Sequence, residues 1–363
     1  MPSAIVPKAL KPGATIAFIS PSARLNDVIP AAMERATALL VAKGYKIREI
    51  YLGPDSGIQS SIANRLSEIR TAFTDPSISA IICTIGGPSF TELLPSLLAD
   101  TELHKAIRAD PKIVVGYSDI TGLHWFLHAI AGLRTFYGPG AIPELGASKA
   151  ADADHEASPL AFVEKHLFRT IADTQPIGDV ARSVTYAPDM AAMFKEPSSV
   201  ATPRLSATPG WRWLRQGKGH GRLFGGCLTV MARLGGVRAI SPDWRGRIVF
   251  LETASGDDEN YGNPLHRVQA GVADLIAHGV FEDAAGLVVG RPYGYDTPEL
   301  IAEYTGAITG LLCEGPLAKK PFPILFGVDF GHTTPMVTLP YDALAVLDSE
   351  KDKFAIIESA VGA

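Results

Sequence analysis

From Thr15 onward, short apolar runs alternate with stretches in which apolar residues recur every three or four positions, the pattern of a parallel sheet covered by helices. Residues 15–19 read as a first strand. Ile29, Met33, Ala36 and Leu40 mark one face of an amphipathic helix over residues 29–43, with Gly44 as its stop. A second strand follows at 46–51. Ile62, Leu66, Ile69 and Phe73 repeat the helical spacing until Asp75-Pro76, and residues 80–85, rich in β-branched side chains, form a third strand broken by Gly86-Gly87. A helix around 91–98, a buried strand at 112–116 and a helix at 120–133 complete a doubly wound α/β domain, expected over residues 1–140.

Between about 141 and 219 the periodicity fails, apart from a helix near 159–170, and the segment is rich in Pro, Ser and Asp. It reads as an inter-domain connection with a flap, since a loop of that length is often functional. A second domain is expected over 220–363, with a helix over 225–234 and strands at 247–252, 287–290 and 324–329. Two domains also suit the length, 363 residues at about 150 per domain.

Composition narrows the function. Hydrophobic residues are 47% and charged residues 20%, which excludes a disordered chain, and 35 Gly with 27 Pro imply many turns. With 33 basic against 38 acidic residues the formal charge is −5 and no like-charge run occurs, so a nucleic-acid polymer is a poor partner. No apolar stretch is long enough to span a bilayer, and no signal peptide is evident, so a cytoplasmic protein is expected. Cys83, Cys227 and Cys313 are an odd number without C-x-x-C spacing and read as buried apolar side chains, not as a disulfide framework or a metal site.

The strongest chemical signal is Val114-Val115-Gly116-Tyr117-Ser118-Asp119-Ile120-Thr121, where a buried strand runs into a helix with serine at the corner. A nucleophilic serine needs such a turn, so that its Oγ stands above the sheet while the next backbone N–H faces the developing oxyanion. Ile120 stands where the usual second glycine would be. Ser118 or Asp119 also suits the N-cap of the following helix, and the motif alone does not choose. Because ligands bind beyond the carboxyl ends of parallel strands, Gly86-Gly87 is expected beside Ser118, as an oxyanion donor, a phosphate cradle or a plain loop. Ser20-Pro21-Ser22-Ala23-Arg24 after the first strand has no glycine, which argues against a dinucleotide turn.

A serine hydrolase also needs a base and an orienting carboxylate. His124 and His128 have metal-ligand spacing but no accompanying Glu, and His155 lacks any distinguishing frame. His332 differs, lying in the glycine-bounded loop Gly327-Val328-Asp329-Phe330-Gly331-His332-Thr333 after an apolar strand. Glu252 ends Ile248-Val249-Phe250-Leu251 and is either a cleft residue or an expensive buried charge.

These residues resemble the serine LD-carboxypeptidases, including the subgroup of microcin C immunity peptidases. The resemblance runs from Pro12-Gly13-Ala14-Thr15-Ile16 and Ser20-Pro21-Ser22, through Ile85-Gly86-Gly87, Gly116-Tyr117-Ser118-Asp119-Ile120-Thr121, Gly225-Gly226-Cys227-Leu228 and Leu251-Glu252-Thr253, to Gly331-His332 and Thr338-Leu339-Pro340. It implies a triad of Ser118, Glu252 and His332, an oxyanion hole from the Asp119, Gly86 and Gly87 amides, and hydrolysis of an L,D-peptide bond or an aminoacyl-nucleotide amide. It also implies a flavodoxin-like N-terminal domain, a smaller β-rich C-terminal domain, no metal or organic cofactor, and a cytosolic homodimer. Murein-recycling members usually carry Gly-Gly-Asn where this chain has Gly225-Gly226-Cys227, whereas Gly210-Trp211-Arg212-Trp213-Leu214 looks more like the microcin-immunity branch. Trp211 or Trp213 is a candidate to stack on substrate, or else packs the inter-domain joint. Arg291 is a candidate cation for the substrate carboxylate, or else part of a surface or interface salt bridge. With serine in one domain and its partners in the other, domain closure is expected to assemble the site.

Overall fold

The structure is a computed structural model that describes residues 4–53, 55–148, 158–258 and 260–363. Its first part alternates strands β1 (Thr15–Ile19), β2 (Lys46–Ile50), β3 (Ile78–Cys83), β4 (Ile113–Gly116) and β5 (Phe136–Tyr137) with helices α1 (Pro30–Ala42), α2 (Ile58–Thr74), α3 (Leu94–Ala99), α4 (Thr101–Ala109) and α5 (Thr121–Ala131). β1–β5 run parallel in the order β5-β4-β3-β1-β2. Ile81, Ile82, Val114 and Val115 are all fully buried, because helices cover both faces of a doubly wound sheet. The helix expected over 91–98 is shorter and is followed by α4, which was not expected although Leu103 and Ile107 stand one turn apart on its buried face. Asp100 separates α3 from α4, its carboxylate accepting the Leu103 N–H at 3.0 Å as an N-cap.

The segment 141–219 carries α6 (Pro159–Ile171), where a helix was expected, but it is only in part a connection. Its strands are β6 (Pro176–Asp179), β7 (Thr185–Tyr186), β8 (Ser206–Ala207) and β9 (Arg212–Arg215). β7 and β8 pair with each other at the base of a flap, while β6 and β9 become the two edges of the second sheet. That sheet also contains β10 (Lys218–Cys227), β11 (Arg247–Glu252), β12 (Gly286–Gly290) and β13 (Ile324–Val328), followed by the short β14 (Leu339–Pro340), which leaves it, and by β15 (Leu344–Asp348) and β16 (Lys353–Ser359). Among the described residues its order is β6-β16-β15-β10-β11-β12-β13-β9, with β10 to β13 parallel. Helices α7 (Leu228–Leu234), α8 (Leu265–Ala277) and α9 (Pro298–Leu312) join its central strands.

Gly225-Gly226-Cys227, expected to begin a helix, instead ends β10. A Cβ on Gly226 would lie 2.3 Å from Thr121 Cγ2, so glycine here permits close approach of a strand to the first turn of α5. The two halves interlock at this point. β14 pairs antiparallel with β5, Trp125 Nε1 donates to the Gly225 carbonyl at 2.9 Å, and the Tyr341 hydroxyl donates to the same carbonyl at 3.0 Å. Trp125, Phe224, Trp244, Phe250 and Tyr341 pack edge to face or tilted around this joint, with neighbouring centroids 5.1–5.9 Å apart. The carboxyl ends of β4, β11 and β13 therefore face one cleft.

Candidate active site

Ser118 occupies the corner between β4 and α5 with φ +62°, a left-handed conformation that a side chain makes costly. Local hydrogen bonds hold it there. The Thr121 hydroxyl donates to the Ser118 carbonyl at 2.7 Å, and the Ser118 N–H donates to the Tyr137 hydroxyl at 3.1 Å. Two glycines make room for the corner, since a Cβ on Gly116 would meet Ile120 Cγ2 at 2.8 Å and one on Gly86 would meet Ser118 Cβ at 2.6 Å.

Ser118 Oγ lies 3.0 Å from His332 Nε2, and His332 Nδ1 lies 2.7 Å from Glu252 Oε2. Glu252 is fully buried at the end of β11, and its other oxygen accepts the Tyr137 hydroxyl at 2.5 Å. Gly331, with φ +104°, lets the histidine loop pass over this carboxylate, because a Cβ there would lie 2.8 Å from Glu252 Oε2. Burial alone would raise the Glu252 carboxyl, but His332 and the Tyr137 and Cys227 hydrogen bonds outweigh it and hold the group below its ordinary value. Burial likewise pulls His332 down, yet the charge and hydrogen bond of Glu252, with a smaller contribution from Glu144, leave it raised. The arrangement has a hydroxyl, an imidazole able to take its proton, and a carboxylate that fixes the Nδ1–H tautomer. No domain closure is needed to bring the three together, because the joint between the halves is a packed aromatic core.

Around Ser118 and His332 opens a cavity of about 500 Å³, lined also by Gly86, Gly87, Glu144 and Arg233. The Gly86, Gly87 and Asp119 N–H groups donate to no protein acceptor among the described residues. The Asp119 side chain points into structure. Its Oδ2 accepts from Ser22 Oγ at 2.6 Å and from the Phe90 N–H at 2.7 Å, and its Oδ1 accepts from Arg233, which ties Ser22 after β1 to the turn after β4.

Three residues expected at the substrate lie elsewhere. Arg291 is buried in an ion pair with Asp329 and also donates to Thr333 Oγ1 at 3.2 Å, so its charge is spent inside the protein. Trp211 donates to Asp329 Oδ2 at 3.2 Å with Arg182 stacked 4.0 Å from its ring, and Trp213 donates to Asp352 at 2.8 Å. None of the three lines the cavity. His124 is a satisfied core histidine, bonded to Thr135 Oγ1 at 2.8 Å and the Gly116 carbonyl at 2.9 Å, with burial pushing it down to about 4. No cluster of metal-ligating side chains occurs among the described residues, and His155 lies outside them. Cys227 is buried and its thiol is held well above the ordinary range by burial and by Glu252, so it does not compete as a nucleophile.

Sequence reasoning missed Tyr137, Tyr117 and Glu144. The Tyr117 ring stands edge-on to His332 at 5.1 Å, and its hydroxyl donates to Glu144 Oε1 at 2.8 Å, while the Gly140 N–H donates to Glu144 Oε2 at 3.0 Å. Burial holds the Glu144 carboxyl above its usual value. The one available signal was the adjacency of Tyr117 to Ser118.

Residues 16–138 match the LD-carboxypeptidase N-terminal domain and residues 220–347 the LD-carboxypeptidase C-terminal domain. The chain belongs to the LD-carboxypeptidase family. It is accordingly a hydrolase of the serine peptidase kind. A Vibrio cholerae protein named as a carboxypeptidase is 30% identical over 96% of this chain and 96% of its own length. The Escherichia coli microcin C7 self-immunity protein is 27% identical over 95% and 94%, respectively. The solved wild-type apo structure of a microcin C7 self-immunity protein superposes with a TM-score of 0.82 at 25% identity, covering 99% of this chain and all of that one. A complex of that protein with aspartyl sulfamoyl adenosine gives the same TM-score at 26% identity, again covering 99% of this LD-carboxypeptidase family member and 100% of that chain. No helix among the described residues is long and apolar enough to cross a membrane.

Proposed function

We propose that this family member is an LD-carboxypeptidase that cleaves the terminal L,D-peptide bond of a murein-type tetrapeptide through Ser118, His332 and Glu252. The observation that carries the reading is the unbroken hydrogen-bonded line from Ser118 Oγ through His332 to Glu252 at the cavity. In the proposed reaction Ser118 Oγ attacks the scissile carbonyl carbon while His332 Nε2 takes its proton. The tetrahedral oxyanion is received by the Asp119 N–H and a Gly86 or Gly87 N–H. Collapse breaks the C–N bond as His332 returns the proton to the leaving amine, which leaves an acyl-serine. Water, deprotonated by His332, then hydrolyses that ester and restores the hydroxyl. Glu252 stays ionised throughout and stabilises the imidazolium.

A second reading has one observation in its favour. The cavity adjoins a chamber of about 240 Å³ beneath the flap, lined by Glu144, Met190, Met193 and Arg204 among others, which gives room for a group beyond a peptide, such as a nucleoside. On that reading the same triad cleaves an aminoacyl- or peptidyl-nucleotide amide. The deciding experiment offers purified enzyme an L-Ala-D-Glu-diaminopimelate-D-Ala tetrapeptide and an aspartyl sulfamoyl adenosine, with release of D-alanine or of the sulfamoyl nucleoside followed by mass spectrometry. D-Alanine release that disappears in Ser118→Ala supports the first reading, and turnover of the nucleoside alone replaces it with the second. We further propose a homodimer, for which light scattering would give twice the chain mass of 38.5 kDa.

A further inference from the structure

The cavity around Ser118 carries five ionisable side chains that matter for recognition: Asp119, Glu144, Asp189, Arg233 and His332. The three carboxylates already have protein donors. Asp119 holds Ser22, Phe90 and Arg233, Glu144 holds Tyr117 and Gly140, and Asp189 pairs with Arg204 at 3.0 Å. Arg233, on α7, is the one Lys or Arg among the described lining residues. Its Nη2 donates to Asp119 Oδ1, whereas Nε and Nη1 have no protein acceptor among the described residues, and its side chain keeps 40% of its surface exposed.

We propose that Arg233 receives the free carboxylate of the substrate's C-terminal residue and so makes the site selective for peptides with an unblocked C terminus. The proposal rests on the carboxypeptidase reading above. A guanidinium tied down at one nitrogen by a buried carboxylate loses little freedom when its remaining donors take a second carboxylate, and that preorganisation strengthens a charge-assisted contact. Arg291 lacks this capacity because its partner Asp329 is buried with it. Asp119 follows the nucleophile directly, so the cation that reads the carboxylate is anchored to the same turn that presents Ser118.

The test measures kcat and KM for an L,D-peptide ending in D-alanine, together with competitive inhibition by D-alanine and by D-alaninamide, in wild type, Arg233→Ala and Arg233→Lys. Wild type is expected to bind D-alanine more tightly than its amide. Arg233→Ala should raise KM about 10- to 100-fold, change kcat much less and erase the preference for the acid over the amide, with Arg233→Lys intermediate. Fluorophosphonate labelling of Ser118 reports whether each variant retains a folded, reactive site. Unchanged KM and unchanged inhibitor preference in a labelled Arg233→Ala enzyme would overturn the proposal while leaving the carboxypeptidase reading intact. A variant that loses labelling gives way to Arg233→Gln, which removes the charge but can still donate to Asp119 and in which retention of the full acid preference together with wild-type KM overturns the proposal equally. Absence of D-alanine release by wild type would instead remove the carboxypeptidase reading, and this proposal with it.

Discussion

Tyr137 and Glu252 belong to different sheets, yet the phenol donates to Glu252 Oε1 at 2.5 Å while its oxygen accepts the Ser118 N–H at 3.1 Å. One hydroxyl thereby joins the acid of the proposed triad to the backbone of the proposed nucleophile. Burial and the nearby Glu252 charge hold that phenol well above its ordinary value, so it stays a protonated donor at neutral pH.

Removing this hydroxyl tests its positioning role. A hydrogen bond to a buried charge is worth about 1.5–3 kcal/mol, so Tyr137→Phe should lower kcat about 10- to 100-fold. KM should stay near wild type, since Tyr137 does not line the cavity. Steady-state kinetics beside a thermal melt separate this from a purely structural role, which would lower the melting temperature and leave kcat of the folded enzyme unchanged.

The pH profile follows from His332. General-base catalysis needs the neutral imidazole, and Glu252 holds the group above its ordinary 6.5, so kcat/KM should climb through a midpoint above pH 6.5. Glu252→Gln removes the charge that favours the imidazolium, and the burial that opposes it then prevails. The midpoint should move to lower pH while the maximal rate falls. A midpoint that stays in place would remove Glu252 from the role assigned to it.

Gly86 tests the geometry of the elbow. An added Cβ would stand 2.9 Å from Ser118 Oγ and 3.2 Å from the Asp119 nitrogen, inside the space that a reacting carbonyl needs. Gly86→Ala should slow fluorophosphonate labelling of Ser118 and, by crowding the reacting carbonyl away from the backbone donors, reduce kcat/KM by about two orders of magnitude, the scale of a lost oxyanion contact. Labelling at the wild-type rate would show that this loop does not approach the reacting atoms.

The Arg291–Asp329 pair predicts a stability effect. Asp329 starts the loop that carries His332, and Ser183 at the base of the flap donates its N–H to Asp329 at 3.3 Å. Arg291→Met strands a buried carboxylate and should cost about 3–5 kcal/mol of unfolding free energy, measured by denaturant titration. A substrate-carboxylate role for Arg291 would instead raise KM with little change in the unfolding midpoint.

Much of the first sheet was legible because its signals are local. β1, β3 and β4 are apolar runs buried on both faces, and α1 and α2 bury one periodic stripe each, so chain order and spacing suffice. The end of β10 was misread for the opposite reason. Gly225-Gly226 looks like a break in any local window, and its purpose, admitting Thr121 and the Phe250 backbone, exists only once the halves are packed. The edges β6 and β9 were hidden within an aperiodic segment because edge strands are half exposed and take their pairing from distant partners.

The candidate site divides in the same way. Ser118 at a strand-to-helix corner, Glu252 at a strand end and His332 in a glycine-bounded loop each stand out by type and position, because the carboxyl ends of parallel strands are where a doubly wound sheet presents side chains. Which cation faces the cavity was not decided at that level. Arg291 and Arg233 look alike in sequence, and only the packing of Asp329 against one and of Asp119 against the other, with one pair buried and one open to the cleft, gives the two guanidinium groups different work. Spacing along a chain specifies strands, helices and the corners between them, whereas the partner of each charge depends on three-dimensional neighbours, 38 residues away in sequence for Arg291 and 114 for Arg233.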